Sequence, residues 1–219
     1  VSGTLPTGMT FSADGVLSGV PGEARSSTFS VRVIGADGYA STNQMLLTIS
    51  GLRTLPYVQD FESARQLPIG WSQEYVYGMM FLNWTFFKGS NIGSPGIPAV
   101  AHSGTNNALL ATVNSAGFKS RLITPVLNMG VNATNTRLSF WMCMAKKSYQ
   151  DELKVLYKTN ATDAAWTQLA YFKSSITAWT NVVLDLPNPS PSYQIAFEGY
   201  AKAGYGVCID DVEVTGDVV

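Results

Sequence analysis

Two acidic pairs stand near opposite ends of the longer part of this chain, in contexts that a bound cation would explain. Asp60 and Glu62, in Gln59-Asp60-Phe61-Glu62-Ser63, are two residues apart. On a strand that spacing puts both carboxylates on one face and turns Phe61 toward a core. Asp210 and Asp211 lie in residues 206–214, a stretch dense in β-branched side chains after a glycine-rich approach. Alternation there predicts Cys208, Asp210, Val212 and Val214 on one face, with Val207, Ile209, Asp211 and Glu213 on the other. A carboxylate among valines needs hydrogen-bond donors, a basic group such as Arg121, or a metal. If the first and last strands of this region are neighbours, four carboxylates converge with few cations nearby. Calcium takes six to eight oxygens in loose geometry. Asp60, Glu62, Asp210 and Asp211 are therefore candidate metal ligands, with carbonyls of residues 102–106 as further donors and His102 as a ligand or lining residue. The alternative is a set of solvent-facing acids at strand ends.

Other chemistry has weaker support. His102 is the single histidine, and its neighbour Ser103 is poorly placed to be its nucleophile, so a Ser-His-Asp arrangement is not expected. One His and two distant cysteines do not make a zinc site. Cys143 and Cys208 are read as buried thiols by default, with a single disulfide or unrelated positions as alternatives. A glycosidase needs two carboxylates across a cleft, for which Asp151, Glu152 and Glu198 are the candidates. Aromatic residues are more numerous than a core of this size must use: Trp84, Tyr75, Tyr77 and Tyr205 are candidate sugar-stacking residues, and Phe86, Phe87, Tyr149, Trp166 and Tyr171 belong to the same surplus, with core packing the default role for any one of them.

The elements that must position these groups are strands. Of 219 residues only 13% are charged and 46% are hydrophobic, so the chain has ample material for a core. Fourteen basic against fifteen acidic residues leave a net charge of −1, which gives no footprint for nucleic acid, and no apolar run is long enough to span a bilayer. The chain does not begin with Met, which suggests a longer or processed protein. Residues 1–50 read as short hairpins around Asp14-Gly15 and Asp37-Gly38, with too few large apolar groups for an independent core. Residues 51–56 read as a linker. From Tyr57 onward, strands rich in Trp, Tyr and Phe recur without a helical crossover. Leu138 to Ala145 is apolar on both faces, as in a central strand, whereas Lys154 and Lys158 alternate with Leu153, Val155 and Tyr157, leaving one wet face.

Leu5-Pro6-Thr7-Gly8-Met9, Asp14-Gly15-Val16-Leu17-Ser18-Gly19-Val20-Pro21 and the strand that closes this unit resemble the C-terminal half of a bacterial immunoglobulin-like domain. From residue 57 to 214 the ordered motifs resemble the cleaved-adhesin and choice-of-anchor J domains of Bacteroidetes surface proteins, relatives of the MAM domain. They are Asp60-Phe61-Glu62-Ser63, Pro68-Ile69-Gly70-Trp71, Trp84, Ala101-His102-Ser103-Gly104, Leu122-Ile123-Thr124-Pro125, Leu138-Ser139-Phe140-Trp141, Trp179 with Val183-Leu184-Asp185-Leu186, and Ile195-Ala196-Phe197 leading to Ile209-Asp210-Asp211-Val212. The resemblance implies a concanavalin-like jelly roll over residues 57–216, with the opening and closing carboxylates helping to hold a structural Ca²⁺. It also implies a non-catalytic module on a secreted or outer-membrane-associated protein. The expected all-β molecule is then an adhesion or carbohydrate-binding module whose partner is a host or dietary glycan or a surface protein. A glycan-processing enzyme, an accessory domain of a surface protease and an architectural spacer remain as alternatives.

Overall fold

The computed structural model of the chain describes residues 2–6, 8–19, 26–48, 53–63, 65–78, 82–90, 95–111 and 117–217. Thr7, Val20 and Pro21 of the first motifs and residues 51–52 of the linker lie outside these. Every regular element among the described residues is a strand, and the chain divides into two compact units, Val1–Gly51 and Leu52–Val219.

The first unit holds β1 (Ser2–Gly3), β2 (Met9–Phe11), β3 (Leu17–Gly19), β4 (Ser26–Ile34) and β5 (Ala40–Thr48). β2 and β3 form a hairpin whose turn has Gly15 at φ 83°, a conformation that glycine adopts without steric cost. β1, β4 and β5 make a three-stranded antiparallel sheet. Phe29 is the one large apolar side chain buried in this unit among the described residues, packed beside Phe11 at 6.1 Å between centroids. Val33, Ile34, Tyr39, Met45 and Leu46 are exposed.

The second unit contains β6 (Arg53–Thr54), β7 (Tyr57–Gln59), β8 (Ser72–Tyr77), β9 (Thr85–Phe87), β10 (Asn107–Leu110), β11 (Phe118–Ile123), β12 (Leu127–Asn128) and β13 (Thr134–Met144). It continues through β14 (Glu152–Lys158), β15 (Thr167–Phe172), β16 (Ile176–Asp185), β17 (Gln194–Ala201) and β18 (Val207–Asp217). One sheet runs β16-β13-β18-β10-β9 with β7 also against β18; the other runs β15-β14-β17-β11-β8. They form a jelly-roll sandwich around Phe61, Trp84, Phe140, Phe197 and their aliphatic neighbours. β13 sits between β16 and β18, with Leu138, Phe140, Met142 and Met144 in the sandwich core and Cys143 in a satellite cluster with Leu109 and Cys208.

Beside each acidic pair the chain departs from simple strand alternation. Residues 60–62 are a turn, not a strand: the Glu62 amide donates to Asp60 Oδ1 at 3.1 Å, and Phe61, at φ 57°, drops into the core against Trp71 and Phe86. β18 does not alternate strictly. Trp141 pairs with Asp210 but Ser139 pairs with Glu213, so β18 carries one extra residue there, and Asp211 has φ 45°. This bulge turns Ile209 and Val212 toward the same core, while Cys208 faces a satellite cluster with Leu109 and Cys143 on the opposite side.

Candidate functional site

The first and last strands of the sandwich are neighbours. β7 runs antiparallel to β18 with Gln59 opposite Val212, so the acidic turn at 60–62 and the bulge at 210–211 lie at one end of the same pairing. The carboxylates of Glu62, Asp210 and Asp211 close on a single loop. Glu62 accepts the Thr105 amide at 2.9 Å, the Thr105 hydroxyl at 2.7 Å and the Asn106 amide at 2.8 Å. Burial alone would raise its pKa, but these bonds outweigh it and hold the carboxyl below its ordinary value. Gly104, at φ 56°, has no room for a side chain, since a Cβ there would fall 2.5 Å from the Glu62 carboxyl.

Asp210 is fully buried and accepts the His102 and Ser103 amides on Oδ2 at 3.0 and 3.3 Å, and the Asp211 amide on Oδ1 at 2.9 Å. Burial, and then repulsion from Asp211, push its pKa up to about 7 despite those donors. Asp211 takes the Ser103 hydroxyl at 2.7 Å and lies 2.6 Å from His102 Nδ1. The imidazole stacks on Trp141 at 3.8 Å between centroids, with Trp179 edge-on at 6.0 Å.

Of the five residues expected at a metal, Glu62, Asp210 and Asp211 thus gather as a clamp on residues 102–106, which include His102, whereas the Asp60 carboxylate takes the local Glu62 amide. Oxygen donors suit a hard cation in kind. The carboxylates, however, are turned to amides and hydroxyls, and among the described residues no three His, Cys, Asp or Glu side chains group so as to hold an ion. Side chains alone do not complete a cation site here, so most ligands would have to be backbone carbonyls and water.

The thiols of Cys143 and Cys208 are free and buried on cross-strand partners. Burial lifts Cys143 to about 11 and Cys208 well above its ordinary value, so neither is a ready nucleophile. Asp151 is also structural: it is fully buried, raised by burial, and accepts the amides of Lys202, Gly204 and Gly206.

A second candidate region lies on the outer face of the β15-β14-β17-β11-β8 sheet. Cross-strand register aligns Tyr171, Lys154, Glu198, Arg121 and Glu74 in one row across all five strands. The adjacent row holds Glu152, Tyr200, Lys119 and Tyr77. On the other flank, Leu156, Ala196 and Ile123 form an apolar strip against Trp166. Trp166, Arg121, Lys154 and Glu198 line a depression of about 380 Å³, and a smaller one of about 60 Å³ opens between Tyr171 and Tyr200. Arg121 bonds Glu198 at 2.7 Å and Glu74 at 2.9 Å. Lys202 and the Tyr171 hydroxyl both bond Glu152, whose carboxyl, raised by burial but lowered more by these partners, ends below its ordinary value.

Of the four residues expected to stack on sugars, Trp84 does not qualify. It is 2% exposed, and its indole N–H donates to the Ser120 carbonyl inside the core. Tyr77 is exposed beside Lys119, and Tyr75 is exposed on the same edge strand. Tyr205 lies in the turn at 202–206 beneath Lys147. Tyr200 was missed, although its spacing two residues after Glu198 on a strand puts both on one face.

The family model described as "MAM domain, meprin/A5/mu" matches residues 60–217. That described as "Putative Ig domain" matches residues 1–50. No curated protein sequence matches the chain. Among solved structures, the K1 cleaved adhesin domain of Lys-gingipain from Porphyromonas gingivalis W83 is 20% identical, with 74% of this chain and 98% of that domain covered and a TM-score of 0.56. The K3 cleaved adhesin domain of the same protein is 19% identical, with 73% and 97% covered and a TM-score of 0.53. At such identities the likeness is one of fold.

Proposed function

The chain belongs to the MAM domain family through residues 60–217, and on that premise we propose that it is a non-catalytic adhesion or carbohydrate-binding module of a bacterial secreted or cell-surface protein. The observation that carries this reading is the outer face of the β15-β14-β17-β11-β8 sheet, where Trp166 lines an open depression of about 380 Å³ and Tyr171 and Tyr200 line a smaller one of about 60 Å³, with Lys154 and Glu198 common to both. Pyranose rings stack their C–H faces on aromatic rings, and flanking charged groups hydrogen-bond the hydroxyls. Host or dietary glycans are the partner class this chemistry favours.

Glu152 and Glu198 flank the smaller depression and are the pair a glycan-processing enzyme would need. Lys202 and Tyr171 hold the Glu152 carboxyl below its ordinary value, which does not suit a general acid, and Arg121 is bonded to Glu198 at 2.7 Å. This supports the non-catalytic reading.

Calcium stabilisation is the second part of the proposal. Its support is the repulsion between Asp210 and Asp211, which a divalent cation would relieve with backbone and water oxygens completing its shell.

Glycan-array binding, with and without chelator, tests the reading. Specific retention of a polysaccharide is expected. Hydrolysis of an arrayed glycan would overturn the non-catalytic assignment, and a folded protein that binds no glycan would favour the spacer.

A further inference from the structure

The charge on this same outer face is out of keeping with the rest of the chain. Three of its rings, Tyr171, Tyr200 and Trp166, each lie beneath one or two cations. Lys154 and Lys173 stand 5.0 and 4.6 Å from the Tyr171 centroid, Lys119 and Lys202 stand 4.7 and 4.4 Å from that of Tyr200, and Lys158 stands 4.5 Å from that of Trp166. With Arg121, these are six of the chain's fourteen basic residues. The acids on this face, among the described residues, are Glu74, Glu152 and Glu198. The face is therefore +3 in a chain whose net charge is −1.

A site built for neutral sugars leaves its aromatic faces bare. Here ammonium groups rest over Tyr171, Tyr200 and Trp166, where cation–π attraction holds them until something competes. An anion on the ligand does so: it draws the ammonium to the ring's edge, forms a charge-assisted hydrogen bond there, and opens the ring for stacking. The carboxylate of a uronic acid sits one bond off its pyranose ring, so a sugar lying on Tyr171 or Tyr200 brings that group beside the displaced lysine. The face already pairs an ammonium with a carboxylate, since Lys202, which lies 4.4 Å from the Tyr200 centroid, and the Tyr171 hydroxyl converge on Glu152. Resting on the glycan-binding reading of this face, we infer that its ligand is a polyuronic acid, an acidic polysaccharide bound by ring stacking and lysine–carboxylate pairing together.

The test is isothermal titration of the whole chain with polygalacturonate, xylan, dextran sulfate and single-stranded DNA, repeated with K119A/K154A/K158A and with the same three lysines changed to arginine. Circular dichroism shows that each variant is folded. Polygalacturonate should bind at least about tenfold more tightly than the other three, and its affinity should fall steeply between about 50 and 500 mM salt. The alanine variant should lose roughly tenfold or more of this affinity, and the arginine variant, which keeps the charge, should retain most of it. Xylan bound as tightly as polygalacturonate, with no loss in the alanine variant, would overturn the acidic ligand while leaving glycan binding intact. Dextran sulfate or DNA bound as tightly would show that the face reads charge without the sugar, which also overturns the inference. No binding to either glycan would instead bring down the glycan-binding reading itself.

Discussion

Asp210 shows how far one residue can be read in advance. A carboxylate in a valine-rich strand requires partners, and that much follows from residue type. Which partners it takes does not follow, because they are backbone amides of residues 102, 103 and 211, brought up by chain geometry rather than by side-chain identity. Its titration has a definite sign. With the carboxyl raised to about 7 from an ordinary 3.8, the folded state holds the proton more tightly than the unfolded chain does. The stability this contributes is complete below the unfolded pKa and is lost as pH rises through about 7. In chelator-containing buffer, wild type should therefore lose more stability than Asp210→Asn between about pH 4 and pH 7, by a few kcal/mol at most. Urea unfolding across that range is the check; a gap that stays constant with pH would show that Asp210 does not titrate there. A second side chain gives a steric prediction. A Cβ on Gly204 would sit 2.1 Å from Asp151 Oδ2, so Gly204→Ala should cost about 2–3 kcal/mol and lower the melting temperature measured by calorimetry.

Among the elements, the strands were legible and their irregularities were not. β13, apolar on both faces, could be assigned to the middle of a sheet, and the lysines of β14 marked its wet face. The bulge in β18 left no mark on composition, because Asp211 accepts a left-handed backbone that glycine or asparagine would have advertised. Strict alternation therefore misassigned Cys208 to the side of Val212 and Val214. The turn at 60–62 was hidden in the same way by Phe61 at positive φ. Trp84 was misread because an aromatic count does not say which side of a strand a ring takes. β4 and β5 yield a prediction of their own. With Phe29 as the one large buried apolar side chain of the first unit among the described residues, residues 1–50 are expected not to fold alone. The isolated peptide should be cleaved by trypsin or thermolysin within minutes under native conditions, whereas a resistant monomer would contradict this.

Taken over the full chain, the balance of charge conceals a division of labour. The outer face of the β15-β14-β17-β11-β8 sheet is basic and aromatic, whereas the carboxylates of the other sheet's end are folded inward onto residues 102–106. The net charge of −1 gave no hint of this, because a sum over the chain averages the two away. If a cation reinforces the acidic end, chelation should lower the melting temperature by several degrees, and Asp210→Ala should remove most of that response; an unmoved melting curve would leave the clamp to its amides and hydroxyls alone. Glycan binding on the aromatic face stands or falls with its rings. The decisive experiment is the affinity of Trp166→Ala and Tyr171→Ala for whichever polysaccharide the wild type retains, with folding checked for each. Loss of roughly tenfold or more in each is expected, because stacked rings provide much of the contact. Wild-type affinity in both folded variants would place binding elsewhere on the molecule and refute the assignment of this face.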